Sequence, residues 1–165
     1  MTADPPAVRA GLEELNSLGW IDRVRAPDDA NEDFDEFGNE VTGKWMPKEL
    51  TPELWERIRS ATIEGDLGIG AKVLKDHSRA CVYTRDYRDL DDLRRILTEL
   101  RDIGARGWID YKRDCDTQRE LYGRGAAYSC SPPGTVDIKV PRWSVGREMD
   151  REAVVDADNL RRTSR

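Results

Sequence analysis

The chain has 165 residues, 36% of them charged, with a formal net charge of -6 and a pI near 5.0. That length suits a single hydrophobic core, since domains run to roughly 100–150 residues. The acidic balance argues against general nucleic-acid or anionic-membrane binding, which needs a basic stripe to release counterions, and leaves room only for a local basic pocket.

Three segments are expected: an arm or short helix over 1–19, one α+β domain over 20–143, and a charged tail over 144–165. In the arm, Val8, Leu12 and Leu15 share one helical face that ends at Gly19. Trp20–Arg25 reads as a strand, and the acidic, turn-rich stretch from Asp28 to Glu40 as a surface loop. Lys44-Trp45-Met46 reads as a short strand stopped by Pro47. Thr51-Pro52-Glu53 is a helix start, with Thr51 as N-cap and Leu54, Ile58 and Ala61 on the buried face. After Gly65, Gly68 and Gly70, Ala71–Lys75 is a candidate strand. Arg79–Thr84 carries apolar residues on both faces and belongs mid-sheet. Asp89 caps a helix whose Leu93, Ile96, Leu97, Leu100 and Ile103 repeat at three and four, closed by Gly104. Its outer face, with Asp91, Arg94, Arg95, Thr98 and Arg101, reads as a solvated surface. Trp108–Lys112 follows as a strand, then a polar segment to Gly125, then Ala126–Cys130 and Thr135–Val140 as closing strands.

The element order predicts a mostly antiparallel sheet backed by two or three helices. The longest apolar stretches, such as Ala80–Tyr83, fall far short of the roughly 20 residues of a membrane helix, and with no positive region followed by an apolar one at the start of the sequence neither a membrane span nor secretion is expected. A cytoplasmic location is expected, with Cys81, Cys115 and Cys130 as reduced thiols, because three cysteines without a CxxC pair suit an oxidising compartment poorly. With His77 as the one imidazole, neither a metal site nor a cofactor is expected. Gly65, Gly68 and Gly70 lack the Gly-Lys-Ser/Thr ending of a phosphate loop.

Several segments in order, Thr42-Gly43-Lys44-Trp45-Met46, Leu54-Trp55, Gly68-Ile69-Gly70-Ala71-Lys72-Val73 and Cys81 through Asp89, resemble the basophilic-leukaemia-expressed (BLES) protein family. Leu100 through Gly104, Tyr111-Lys112-Arg113-Asp114, Thr117 and Tyr122-Gly123 continue the likeness, which covers roughly Trp20 to Tyr128. The resemblance implies a fold like that of the cap-binding protein of translation initiation, a curved antiparallel sheet backed by helices. Bacterial and archaeal relatives are described as phosphothreonine lyase domain proteins, which implies a distant likeness to effector enzymes that remove phosphate by β-elimination. Fold does not carry function with it.

Three readings stay open. The first is a phosphate-binding module for a phosphopeptide or nucleotide, using Lys44, Lys72, Arg85, Lys112, Arg119 and Arg124, with Trp45 and Trp108 as stacking surfaces. The second is a lyase, which needs a base for the Cα proton, an acid for the leaving phosphate and cations for the dianion. Lys112 is then the base and His77 the acid, with Lys72, Arg85, Arg119 and Arg124 on the phosphate. The family-matched Lys72 is followed two residues on by Leu74, which cannot transfer a proton; only the shifted Lys75-Asp76-His77 restores a Lys-x-His spacing. The third is a protein interaction module. A lysine base requires a pKa well below about 10.4, through burial or nearby cations.

Overall fold

A computed structural model describes residues 20–27, 41–118 and 128–140. In chain order these form β1 (Trp20–Arg25), β2 (Gly43–Met46), α1 (Pro52–Ile63), β3 (Gly70–Leu74), β4 (Ala80–Thr84), α2 (Leu90–Asp102), β5 (Ile109–Arg113), α3 (Asp114–Gln118) and β6 (Tyr128–Ser131). The six strands make one sheet in the order β1-β3-β4-β2-β5-β6. Every pairing is antiparallel. The architecture is α+β as the sequence predicts, with β4 and β2 at the centre.

Alternation along the strands divides the sheet into two faces. Val24, Ala71, Val73, Ala80, Val82, Trp45, Ile109 and Tyr111 join Trp55 and Ile58 of α1 and Leu93, Ile96, Leu97 and Leu100 of α2 in one apolar core. Trp45 is 0% exposed; its indole Nε1 donates to Leu93 O at 3.0 Å, and its ring meets Tyr111 edge-on at 4.9 Å between centroids. An aromatic of this kind contributes about 3–5 kcal/mol through burial and packing. Tyr111 directs its hydroxyl to Thr84 Oγ1 at 2.6 Å. Gly43 is required beside it, because a Cβ there would overlap the Tyr111 hydroxyl.

The two long helices start where their caps dictate. Thr51 accepts from Leu54 N at 3.1 Å with Pro52 in the first turn, and Asp89 accepts from Asp92 N at 3.1 Å. Of the expected inner face of α1, Ile58 is fully buried and Leu54 and Ala61 are partly buried against the core; Trp55 and Thr62 widen that face. Trp55 Nε1 and Arg59 Nε both donate to Asp22 Oδ2, at 3.1 and 3.2 Å, and tie α1 to β1.

Three expectations need correction. Thr135–Val140 is not a strand: it touches β6 through a single bridge, Cys130 with Lys139. The chain there is held by turn bonds such as Thr135 N to Pro132 O. The polar segment after β5 begins with a helical turn, α3. Arg101 is not part of a solvated face. Its guanidinium donates to the carbonyls of Thr135 (2.8 Å), Ala105 (3.2 Å), Gly107 (2.8 Å) and Pro132 (2.8 Å), pinning the segment after β6 to the end of α2. The expected helix over the arm, the loop from 28 to 40 and the tail from 144 lie outside the described residues. Among the described residues no helix is long and apolar enough to cross a membrane, and all three cysteines are free thiols.

Five rigid donors cannot be replaced by a truncated side chain. Arg101→Ala is expected to lower stability by about 2–3 kcal/mol, with Arg101→Lys recovering only part, as read from urea unfolding midpoints at unchanged slope.

Candidate functional site

The face of the sheet opposite the two long helices is where the basic residues meet. Following the register from edge to edge, Arg25 stands opposite Gly70, Gly70 opposite Tyr83, Tyr83 opposite Lys44, Lys44 opposite Lys112, and Lys112 opposite Tyr128. A neighbouring row sets Arg23 opposite Lys72 and Lys72 opposite Cys81. Lys44, Lys72 and Lys112 therefore share one face, Lys44 and Lys72 beside Tyr83 and Lys112 on the far side of Lys44. The Lys44 and Lys72 ammonium groups lie 5.6 and 5.8 Å from the Tyr83 ring centroid, within reach of its π-face. All three lysines are nearly out of solvent contact, at 6%, 3% and 3% exposure.

Local sequence explains the placement of each. In β2, Trp45 must enter the core, which throws Lys44 and Met46 to the other face. The same alternation in β3 follows from Ala71 and Val73, and in β5 from Ile109 and Tyr111. Gly70 leaves the row without a side chain between Tyr83 and Arg25. Gly68 packs so tightly under the Tyr83 carbonyl that a Cβ would overlap it, and Ile69 N donates to that carbonyl at 3.0 Å.

Like charges directly opposite on neighbouring strands repel, so the Lys44–Lys112 pair needs a counterweight. Asp114, 0% exposed at the start of α3, provides one. Its Oδ1 accepts from Lys44 Nζ at 2.8 Å, its Oδ2 from Thr42 Oγ1 at 2.8 Å, and its backbone N donates to Thr42 O at 2.9 Å. Thr117 Oγ1 accepts from the same ammonium at 3.3 Å. One residue along, Arg113 grips Asp116 through two bonds of 3.0 and 2.9 Å and covers the Tyr87 ring at 5.2 Å.

These surroundings separate the two opposed amines. Burial, and then the facing Lys44 charge, push the Lys112 amine down to about 8, against weaker opposing pulls from Asp116 and Asp114. Burial drives the Cys81 thiol up, although Lys44 and Lys72 work the other way, so the thiol stays protonated at neutral pH. The arrangement presents clustered cations at a fixed spacing, one of them able to lose its proton close to neutrality.

Not every residue singled out in the sequence is here. Trp45 lies in the core on the opposite side of the sheet and has no free face for a ligand. His77 sits in the turn joining β3 to β4, in a left-handed conformation with φ 58. Its carbonyl accepts from Leu50 N. That turn lies beyond Ala80, and Ala80 is already about 10 Å along β4 from the level of Lys112, at some 3.3 Å per residue. His77 cannot act with Lys112 on one reacting group. Arg85 is exposed past the end of β4 and lines a different cleft of about 180 Å³ with Pro27, Gly68, Asp92 and Arg95. Trp108 is 55% exposed, just before β5. Arg119 and Arg124 lie outside the described residues. Sequence reasoning missed Tyr83 and Asp114 as partners of the lysines, although both lie in segments that carry the family likeness. Only the strand register, which places Tyr83 beside Lys44 and Asp114 beside Thr42, joins them.

Asp114→Ala would leave the Lys44 charge buried without its carboxylate and is expected to cost about 3–5 kcal/mol. In that background Lys44→Met is expected to restore part of the loss. A double-mutant cycle in urea unfolding checks this; additive losses would mean that the two side chains are not coupled.

No curated protein matches the chain. A family model described as Basophilic leukemia-expressed protein Bles03 matches residues 35–119, the stretch from β2 to α3 that contains Lys44, Lys72, Tyr83, Lys112 and Asp114. The match spans more than half of the sequence, and the chain belongs to the Bles03 family.

Proposed function

We propose that the lysine face binds a phosphate-bearing ligand, with Lys72 and Lys112 as its principal donors and Lys44 as a charge held in place by Asp114. The observation that carries this reading is the gathering of three buried lysines from three strands of an acidic protein on one face of the sheet, two of them over the Tyr83 ring and the third directly opposite Lys44. Clustering like charges in a low-dielectric setting is costly for the fold, and such expense concentrates at functional sites. An anion held there is shielded from water, where ion pairing is strong. The same proposal covers ligands as different as a phosphothreonine peptide and a nucleotide, because the shared chemistry is the phosphate group.

A second reading, β-elimination of phosphate from phosphothreonine, is favoured by one observation: an amine at about 8 can take a proton at neutral pH. The same reading needs an acid for the leaving phosphate, and His77 is too distant to supply it while Leu74 has no proton to give. Binding is therefore the stronger proposal. A cap-binding type of fold would accompany either reading, but a pair of stacking tryptophans does not, since Trp45 is committed to the core.

Titration calorimetry with inorganic phosphate and with a phosphothreonine peptide tests the proposal. Lys72→Ala and Lys112→Ala are each expected to weaken binding by about tenfold or more, the worth of a charge-assisted hydrogen bond. Lys48→Ala and Lys75→Ala, at exposed positions outside the cluster, are expected to leave it unchanged. Equal affinity in all four variants would overturn the assignment. Mass spectrometry of the incubated peptide separates the two readings: loss of the elements of phosphoric acid supports the lyase, and an unchanged peptide supports binding alone.

A further inference from the structure

Lys112 and Lys44 face each other across β5 and β2, and the two amines are not equivalent. Lys44 is fixed as an ammonium by Asp114 at 2.8 Å and by Thr117 Oγ1. Lys112 therefore meets a permanent positive charge while it is itself 3% exposed. Among the described residues, the groups that act on it also include the Asp114 and Asp116 carboxylates of α3 and the Cys81 thiol of β4. A desolvated amine beside a second cation is the arrangement that turns lysine into a nucleophile at neutral pH. Across the Tyr83 ring from Lys44, Lys72 offers a further charge at 5.8 Å from the ring centroid.

We propose that Lys112 is a carbonyl-reactive amine that forms an imine with an aldehyde or ketone whose phosphate group is held by Lys72 beside the fixed charge of Lys44; toward such a ligand Lys112 serves as the nucleophile in place of its donor role to a free phosphate. This rests on the phosphate-binding reading and adds the class of ligand. In the step, the Nζ lone pair forms a bond to the carbonyl carbon. The two hydrogens lost by the nitrogen leave with the carbonyl oxygen as water, so that C=O is exchanged for C=N with no oxidant or reductant. Burial, and then the Lys44 charge, raise the share of Lys112 that is neutral near pH 7, and Lys44 adds positive charge beside the phosphate. Its own bond to Asp114 keeps it protonated and non-nucleophilic.

The chain has six lysines, which makes selectivity measurable. The full chain is incubated with pyridoxal 5′-phosphate near neutral pH, the imine is reduced with cyanoborohydride, and the adduct is mapped by peptide mass spectrometry. The expected result is one dominant adduct on Lys112, formed about tenfold or more faster than on Lys48 or Lys75, because an amine at about 8 is more often neutral than an ordinary lysine at about 10.4 and only Lys112 has the phosphate held beside it. It is suppressed by inorganic phosphate, and it is slower with pyridoxal, which lacks the phosphate. Lys112→Arg abolishes the dominant adduct; mapping on the unaltered chain decides the matter even if that variant fails to fold. Labelling of Lys48, Lys75 and Lys139 with Lys112 unmodified would overturn the proposal. If inorganic phosphate still binds while Lys112 stays unmodified, only the carbonyl chemistry fails; if phosphate does not bind either, the phosphate-binding reading fails with it.

Discussion

The buried contact between Lys44 and Asp114 is the constraint on which the site depends. Asp114 uses both carboxylate oxygens and its backbone N–H on Lys44 and Thr42, so one residue fastens the start of β2 to the junction of β5 and α3. The carboxylate offsets the charge of Lys44 and at the same time fixes it. Burial, and then repulsion from this fixed charge, push the Lys112 amine down. A structural ion pair thus adds to the chemistry that burial imposes on the residue beside it.

The core on the other side of the sheet makes this arrangement unavoidable. Trp45, Val82, Ala71 and Tyr111 bury their side chains against α1 and α2, and a one-residue slip in β2, β3 or β5 would send a lysine into that core. Register and charge placement are therefore one decision. The Gly43 contact with Tyr111 and the Gly68 contact with Tyr83 show the same economy. Both glycines let a tyrosine hold its position, one beneath the sheet and one at the centre of the lysine face.

The elements with strong local signals were legible. The capped helices behind Thr51 and Asp89 and the doubly apolar strand over Ala80–Thr84 follow from spacing and end residues alone. Thr135–Val140 was misread because apolar alternation says nothing about partners: only Lys139 reaches β6, Arg101 holds Thr135, and Val136 and Ile138 pack on the core. Arg101 itself looked like one more charge on a mixed helical face, since its carbonyl acceptors are more than thirty residues away for Thr135. At the site, Lys72 and Lys112 were recognisable as strand lysines of the family-like segments. Their common face was not, because it depends on the register of non-consecutive strands. Trp45 and Lys44 are adjacent in sequence and lie on opposite sides of the sheet, so no argument from proximity could assign one to the core and the other to the site. His77 restored a spacing without the geometry to use it, because its turn lies at the far end of β4.

The central claim is that the fixed charge of Lys44 lowers the proton affinity of Lys112. Side-chain NMR of the lysine Cε–Hε groups across a pH titration measures it directly. The account predicts that Lys112 titrates at about 8, with a midpoint that rises in Lys44→Met as the opposed charge is removed. The folded state releases this proton before the unfolded chain does, so the Lys112 contribution to stability grows as pH rises from about 8 toward the ordinary lysine value of about 10.4. A Lys112 midpoint at the ordinary lysine value, unmoved by Lys44→Met, would contradict the account.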